Sequence, residues 1–197
     1  MESKIIYFED IGPQNTGITF KAVKERLKDS GINKIVIAST TGATARTACD
    51  YFKDAGIKLI VIPHQYDFRR DVNPFPRELA EELRGAGHEV HFGTMLFHTD
   101  QLYDSNIPTL MANLLRCFCQ GIKVCVEIVM MATDAGLLSK GERVIAVAGT
   151  GRGADTALVM QASSSRNMKK LRVNEILCKP LYPLNIDEAL IKVPPAA

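Results

Sequence analysis

The chain has 197 residues, of which 46% are apolar and 23% are charged, and its 24 Lys and Arg nearly balance its 22 Asp and Glu. This composition is typical of a globular protein, and a chain of about this length usually folds as one domain, so we expect a single domain over residues 1–197. The formal net charge of +2 argues against nucleic acid as the main partner, because binding to a phosphate backbone needs a basic surface.

The hydrophobic pattern alternates between strand-like and helix-like segments along the chain. It predicts strands at 5–8, 34–38, 58–62, 88–92 and 143–148, with weaker candidates at 157–161 and 173–179, and helices at 16–30, 42–55, 77–84 and 109–138, the last broken near Gly121. The residues from Pro180 onward hold four of the nine prolines and predict an extended tail that wraps the surface. Strands separated by helices indicate a mostly parallel sheet covered on both faces, which is a three-layer α/β/α sandwich.

The five cysteines and the longest apolar run bear on location. The cysteines are odd in number and lie in apolar segments, and no secretory segment precedes the first predicted strand, so we expect a cytoplasmic protein with free thiols. Cys117 and Cys119 lack a second ligand pair at zinc spacing, which favours core packing over a metal site. The apolar run 124–138 contains two acidic residues and is too short to cross a membrane.

The joint between the 34–38 strand and the next helix is rich in hydroxyl groups. In a parallel sheet, ligands bind where strands end, so the residues at this joint are candidates for ligand binding: Ser39, Thr40, Thr41, Gly42, Thr44 and Ala45. The hydroxyls, the glycine and the unpaired amides of the first helical turn together form an anion cradle, to which Arg46 could add a cation. A simple helix cap explains one hydroxyl, whereas this joint offers four, so we favour phosphate binding.

A second joint follows the 143–148 strand and alternates glycine with other residues. It comprises Gly149, Thr150, Gly151, Arg152, Gly153, Ala154, Asp155 and Thr156. Its backbone amides could form a nest for an anion, and its pattern matches one form of the dinucleotide fingerprint. That match is weak because the motif lies late in the chain and carries an acid where a pyrophosphate would lie. Two interpretations remain: Arg152 and Asp155 bond a polar edge of a ligand, or they form a salt-bridged turn.

Aromatic and polar residues follow two further strands. His64 and Tyr66 could together contact a flat ring, although an ordinary capped loop explains them equally well, and Thr94 could contribute from the next joint.

Two carboxylates on the predicted 109–138 helix are candidate acids or bases. Glu127 and Asp134 lie on one face, with Lys123 four residues before Glu127. A half-buried carboxylate can act as a general acid or base, but we favour structural roles for both, as partners of a lysine or of loop amides.

Several of these segments resemble known proteins. Residues 15–64, with the run 34–45 inside them, resemble the start of the pyruvate kinase C-terminal domain, in which such a strand, loop and helix hold a phosphate of an effector. Residues 136–149 resemble the last helix, turn and strand of that domain. Residues 121–138 and 148–157 are similar to the stand-alone family of pyruvate kinase C-terminal-like proteins. That resemblance implies a small α/β/α domain associated with bound flavin mononucleotide (FMN).

The resemblance also implies positions for the ligand. The FMN phosphate would lie on 39–45, the 149–156 segment would line the ligand, and Asn15 would lie beside the cleft. The chain departs from the family pattern at 63–67 and at 93–95, so the ring end of the ligand is less defined than the phosphate end. Pyruvate kinase catalysis is excluded, because its barrel alone needs about 250 residues.

Two functions follow as expectations. The first is an FMN-binding protein, for which redox catalysis is one open possibility. The alternative is a non-catalytic sensor of a phosphorylated metabolite, and a weaker third is phosphate-ester hydrolysis through Asp155 or Glu127. The expected partners are a small phosphorylated ligand and further copies of the chain in a homo-oligomer.

Overall fold

The computed structural model describes residues 3–28, 30–68 and 71–182. Its strands are β1 (Ile6–Phe8), β2 (Lys34–Ala38), β3 (Lys58–Ile62), β4 (Glu89–Val90), β5 (Arg143–Ala148), β6 (Thr156–Gln161) and β7 (Arg172–Pro180). Its α-helices are α1 (Thr16–Leu27), α2 (Ala43–Phe52), α3 (Arg77–Gly85), α4 (Asp100–Tyr103), α5 (Ile107–Arg116) and α6 (Gln120–Asp134). Short 3₁₀ turns lie at Pro13–Asn15, Leu96–His98 and Ser165–Lys170.

The seven strands form one sheet in the order β1-β7-β6-β5-β2-β3-β4. Only β6 runs antiparallel to its neighbours, which confirms the predicted mostly parallel sheet. The chain leaves β2 towards β3 on one side and leaves β5 towards β6 on the other. The carboxyl ends of β2 and β5 therefore lie side by side where the strand order changes direction, which is the place where open α/β sheets bind ligands.

Helices cover both faces of the sheet, which confirms the three-layer α/β/α sandwich. On one face, α1, α2 and α3 bury Phe20, Ala48 and Leu79 against the sheet. On the other face, α5 and α6 bury Ala112 and Val129 against residues of β2, β3, β5 and β6. Successive strand residues point to opposite faces, so the apolar runs of the central strands supply both cores.

The predicted 109–138 helix is two helices. The break lies between Arg116 and Gln120, just before the predicted position at Gly121. Cys119 adopts extended backbone there and caps α6, because its sulfur accepts a hydrogen bond from the Ile122 N–H at 3.4 Å. Cys119 is buried as predicted, but Cys117 is exposed, so the prediction of core packing was wrong for Cys117.

The edge strand β4 and the C-terminal segment differ from the prediction or lie beyond the described residues. The predicted 88–92 strand is reduced to Glu89–Val90, because β4 is an edge strand that pairs with β3 alone. The predicted extended tail lies, from residue 183 onward, outside the described residues. Among the described residues, no helix has the length and apolar character needed to cross a bilayer.

Candidate functional site

The two loops with unusual composition meet at the same edge of the sheet. Residues 39–45 follow β2 and residues 149–156 follow β5, and these two strands pair in register, with Ile37 opposite Val147. Thr156 lies at this edge as well, because β6 is antiparallel to β5 and Thr156 pairs with Ala148. We call this region the β2–β5 crevice.

The 39–45 loop turns sharply into α2. Gly42 caps the helix in the left-handed region with φ 87°, and a side chain there would clash with the Leu79 side chain. Ser39 is buried, and its hydroxyl accepts a hydrogen bond from the Ala45 N–H at 3.2 Å. The N–H groups of Ala43 and Thr44 belong to the first helical turn, where the helix itself offers no acceptor.

Two side chains of this segment face in different directions. Thr41 is exposed at the mouth of the turn and lies beside the helix N-terminus, which carries a partial positive charge. Arg46 instead faces α3, where its guanidinium lies 3.5 Å from the Glu82 carboxylate. The positive charge that residues 39–46 present to the crevice therefore comes from the N-terminus of α2.

The loop after β3 adds an aromatic wall beside Thr40. The Thr40 hydroxyl lies 3.2 Å from His64 Nε2, and Asn73 donates a hydrogen bond to the His64 carbonyl at 2.9 Å. The His64 ring packs edge-on against Phe68, with centroids 4.9 Å apart.

The two aromatic residues of this loop, His64 and Tyr66, pack against different rings. Tyr66 packs against Phe92 instead, at 5.1 Å between centroids. Alternate residues of this short loop point in different directions. Thr94 is exposed on the loop that follows β4, at the edge strand and two strands away from β2.

The 149–156 loop is organised around the buried Asp155. Its carboxylate accepts hydrogen bonds from the Thr150 N–H at 3.0 Å and from the Thr156 hydroxyl at 2.8 Å. Burial raises the pKa of Asp155, although these hydrogen bonds oppose that shift. Asp155, Thr150, Ala154 and Thr156 are all buried, and the Asp155 carboxylate bonds its own loop.

Two of the three glycines serve the packing of this loop. A side chain at Gly149 would clash with the Gly153 carbonyl, and one at Gly153, which has φ 71°, would clash with the Pro13 backbone. Gly151, with φ 81°, and Arg152 are exposed. The loop therefore presents residues 151–152 to the solvent, and the flanking glycines allow it to lie tightly against the chain before α1.

The start of α1 holds the 149–156 loop in place. The Thr16 hydroxyl accepts a hydrogen bond from the Ala154 N–H at 3.0 Å, and the Thr19 hydroxyl donates one to the Ala154 carbonyl at 3.1 Å. Asn15 is buried next to them and donates to the Asp10 carbonyl at 2.7 Å. Thr16 and Thr19 are not among the residues predicted for the site, although hydroxyls at the start of a helix that follows a strand are a usable signal.

Glu127 lies in a buried polar cluster below the aromatic wall. It forms an ion pair with Lys123 and accepts a hydrogen bond from the Phe97 N–H at 2.8 Å. His98 Nδ1 lies 3.5 Å from the same carboxylate. The His98 ring packs edge-on against Phe68, at 4.8 Å between centroids, so the cluster adjoins the wall of the crevice.

The cluster also shifts the ionisation of its members. Burial by itself raises the pKa of Glu127, but the interactions with His98, Lys123 and Phe97 outweigh burial and lower it to about 2. Burial lowers the pKa of Lys123. Asp134, at the end of α6, accepts a hydrogen bond from the Ser165 N–H at 2.9 Å. Glu127 is therefore the partner of a lysine and of a loop amide, and Asp134 is the partner of a loop amide, which are the partners predicted for them.

A separate concavity of about 240 Å³ lies between α3 and the loops after β3 and β4. It is lined by Tyr66, Arg77, Ala80, Glu81, Arg84 and Phe92. Arg84 donates a hydrogen bond to the Val90 carbonyl at 2.7 Å and thereby helps to cover the edge strand. Among the described residues, no group of three or more metal-ligating side chains occurs.

The chain was compared with known families and solved structures. Residues 18–160 match the family model described as pyruvate kinase, alpha/beta domain. A pyruvate kinase from Cryptosporidium parvum is 18% identical with a TM-score of 0.40, and the match covers 75% of this chain and 22% of that chain. A second structure of that organism's enzyme, in complex with ADP, gives 18% identity, a TM-score of 0.40 and coverages of 75% and 23%.

This chain therefore spans less than a quarter of the length of the kinases that it matches. The family match covers most of the chain and includes β2, α2, β3 and β5 with the loop after each strand. The chain belongs to the family of the pyruvate kinase alpha/beta domain.

Proposed function

We propose that this protein binds FMN in the β2–β5 crevice, with the phosphate on the 39–45 turn. The observation that carries the proposal is the geometry of this turn. Gly42 reverses the chain, Ser39 fastens the loop to α2, and the amides of Ala43 and Thr44 begin a helix without acceptors of their own. Backbone amides at a helix N-terminus bind phosphate groups without a basic side chain.

The surroundings of the turn suit the rest of the ligand. The His64 and Phe68 pair supplies an aromatic wall beside Thr40, and the polar tip of His64 could hydrogen-bond a ring substituent. The exposed Gly151 and Arg152 lie on the opposite loop. When bound, FMN would supply redox chemistry through its ring system, while these residues would bind and orient it.

A second candidate is a non-catalytic sensor of a phosphorylated metabolite. It is favoured because, in the described part of the crevice, polar side chains are hydrogen-bonded to the loops that carry them. The Asp155 carboxylate and the Ser39 hydroxyl bond the loops themselves, so these groups support a binding surface. Hydrolysis of phosphate esters is less well supported, because Asp155 and Glu127 are both buried and hydrogen-bonded to the chain.

The test is ligand binding to the purified protein and to Thr41→Glu. Any small molecule that copurifies is identified by mass spectrometry, and the protein is then titrated with FMN, riboflavin and a sugar phosphate. Because Thr41 is exposed beside the N-terminus of α2, a carboxylate there would repel a phosphate. We expect FMN binding to weaken at least about tenfold, since like charges near a surface repel by about 1–4 kcal/mol.

Thr41→Gln is the matched control, because glutamine has the size of glutamate without its charge. It should bind FMN nearly as well as the wild type does, and a carboxylate at a helix N-terminus should leave the unliganded Thr41→Glu protein as stable as before. Binding of sugar phosphates but not of FMN would support the sensor instead. If neither ligand binds, or if Thr41→Glu binds FMN as tightly as the wild type, the proposal fails.

A further inference from the structure

The edge of the sheet opposite the β2–β5 crevice carries a cluster of basic side chains. This edge holds the start of β5, the end of β6 and the start of β7, because β6 runs antiparallel to both neighbours. The loop before β5 and the 3₁₀ turn before β7 lie at the same edge. Six exposed basic residues come from these segments: Lys140, Arg143, Arg166, Lys169, Lys170 and Arg172. We call this surface the basic edge.

The fold brings the two segments that carry these residues together. Arg143 on β5 pairs with Gln161 on β6, and Gln161 pairs with Arg172 on β7, so the three side chains form a row across neighbouring strands. The Gln161 side chain also donates a hydrogen bond to the Lys170 carbonyl at 3.4 Å, which attaches the turn to this row. Lys140 lies so close to Lys170 that contact with this second positive group lowers the pKa of Lys140.

The carboxylates of the surrounding segments do not neutralise the basic edge. Glu142 pairs with Lys34 at 2.9 Å, and Glu175 pairs with Arg26 at 2.7 Å. Asp134 accepts a hydrogen bond from a backbone N–H of the 3₁₀ turn. Within the described part of the chain, none of the six basic residues forms an ion pair.

The charge of the chain is therefore distributed unevenly. Six of the 24 Lys and Arg lie on the basic edge, and the other 18 are outnumbered by the 22 Asp and Glu. The formal net charge of +2 thus combines +6 from these six residues with −4 from all the others. Such an asymmetry orients a molecule towards a surface of negative charge.

An exposed apolar side chain lies among these charges. Met168 is 40% exposed and lies on the 3₁₀ turn between Arg166 and Lys169. The turn is held in place because the Ser163 hydroxyl donates a hydrogen bond to the Asn167 carbonyl at 2.9 Å. Basic groups around an apolar side chain suit the surface of an anionic bilayer, where the headgroups attract the charges and the acyl boundary takes up the apolar group.

We propose that the basic edge binds the surface of an anionic lipid bilayer, with Met168 inserted between the headgroups. Clusters of four to eight basic residues bind acidic lipids, and each charge near such a surface increases the affinity about fivefold. Single-stranded nucleic acid is less well supported, because it binds by stacking on aromatic side chains and residues 139–143 and 161–173 include none. Lipid binding at this edge and ligand binding in the crevice are independent, since they use opposite edges of the sheet.

Sedimentation of the purified full chain with lipid vesicles tests the inference. We expect binding to phosphatidylcholine vesicles that contain about 30% phosphatidylserine, and none to vesicles of phosphatidylcholine alone. Binding should weaken at least about tenfold between about 0.05 M and about 0.5 M NaCl, because salt screens the attraction. Lys140→Gln combined with Lys170→Gln removes two adjacent exposed charges, and we expect the affinity to fall about twentyfold.

Lys21→Gln combined with Arg77→Gln is the matched control. Both residues are exposed and lie on α1 and α3, outside the basic edge, so this variant has the same net charge and should bind the vesicles as the wild type does. Met168→Gln tests the apolar contact, because glutamine has about the size of methionine. It should weaken vesicle binding about fivefold, while circular dichroism shows a folded protein.

Three outcomes would overturn the inference. The first is that the wild type binds neither kind of vesicle, or binds both equally. The second is that the Lys140 and Lys170 double variant binds as tightly as the matched control. The third is tighter binding to double-stranded RNA or to poly-glutamate than to the anionic vesicles, with no effect of Met168→Gln, which would identify a nucleic acid or an acidic protein segment as the partner instead.

Discussion

Gly42 shows how one residue shapes the phosphate turn. Its φ of 87° is rarely adopted by residues that have a side chain, and the buried Leu79 occupies the space that a side chain would need. The turn and the packing of α3 therefore depend on each other. The proposed phosphate site is built by the same contact that attaches α3 to α2.

We predict that Gly42→Ala lowers the free energy of unfolding by about 2 kcal/mol or more, because it adds backbone strain to a steric clash. Gly17→Ala in α1 is the control, since nothing lies within 4 Å of an added side chain there. That change should raise stability by about 0.5–1 kcal/mol. Urea unfolding of the two variants measures both values, and equal effects would contradict the role given to Gly42.

At the scale of elements, α1 is the support of the 149–156 loop. Thr16 and Thr19 bond the two backbone groups of Ala154, and a side chain at Gly153 would clash with the segment just before α1. The loop contains no regular structure apart from its ends, so these contacts decide its conformation. A substitution in the first turn of α1 should therefore alter the conformation of the 149–156 loop in the crevice.

We predict that Thr19→Val destabilises the protein by about 1–2 kcal/mol, because it leaves the buried Ala154 carbonyl without its donor. Hydrogen exchange at residues 150–154 should accelerate more than exchange in β5. Thr47→Val is the control, because the Thr47 hydroxyl is exposed and bonds the Ala43 carbonyl of its own helix. Unchanged exchange in the loop would show that α1 does not hold it.

At the scale of the whole molecule, the buried Lys123 and Glu127 pair couples stability to pH. Glu127 has a pKa of about 2 in the folded chain, below the ordinary value of 4.5. A carboxyl group whose pKa falls on folding stabilises the protein above its unfolded pKa and loses that contribution as the pH falls through the folded pKa. Its contribution should therefore disappear between about pH 4.5 and pH 2.

We predict that this loss amounts to about 3 kcal/mol in the wild type and is absent from the double variant Lys123→Met, Glu127→Gln. The double variant removes both buried charges and keeps an oxygen for the Phe97 N–H. Burial raises the pKa of Asp155, so its contribution to stability changes with pH in the opposite direction. Asp155 is present in both proteins, and its contribution therefore cancels when they are compared. The difference in unfolding free energy between the two proteins, measured by urea unfolding, should change by this amount between pH 7 and pH 2, and parallel curves would refute this assignment.

Much of the fold follows from local patterns. The buried strands 34–38, 58–62 and 143–148 have the bounds that their apolar runs predict, and the α/β/α sandwich follows from their alternation with helices. The joints after β2 and β5 were found in the same way, because parallel strands bring their carboxyl ends to one edge of a sheet. Apolar periodicity and strand ends depend on residues that are close in sequence.

Only the tertiary structure decided which groups remain available in the crevice. It buries Asp155, pairs His64 with Phe68 instead of Tyr66, and exposes Cys117. It also makes β2 and β5 neighbours, which brings the two candidate loops together. The physical reason is the range of the contacts: the Thr19 bond to Ala154 spans 135 residues, and burial depends on such distant partners. The sequence by itself determined the layers and the candidate loops, whereas packing between distant segments decided what each loop presents to a ligand.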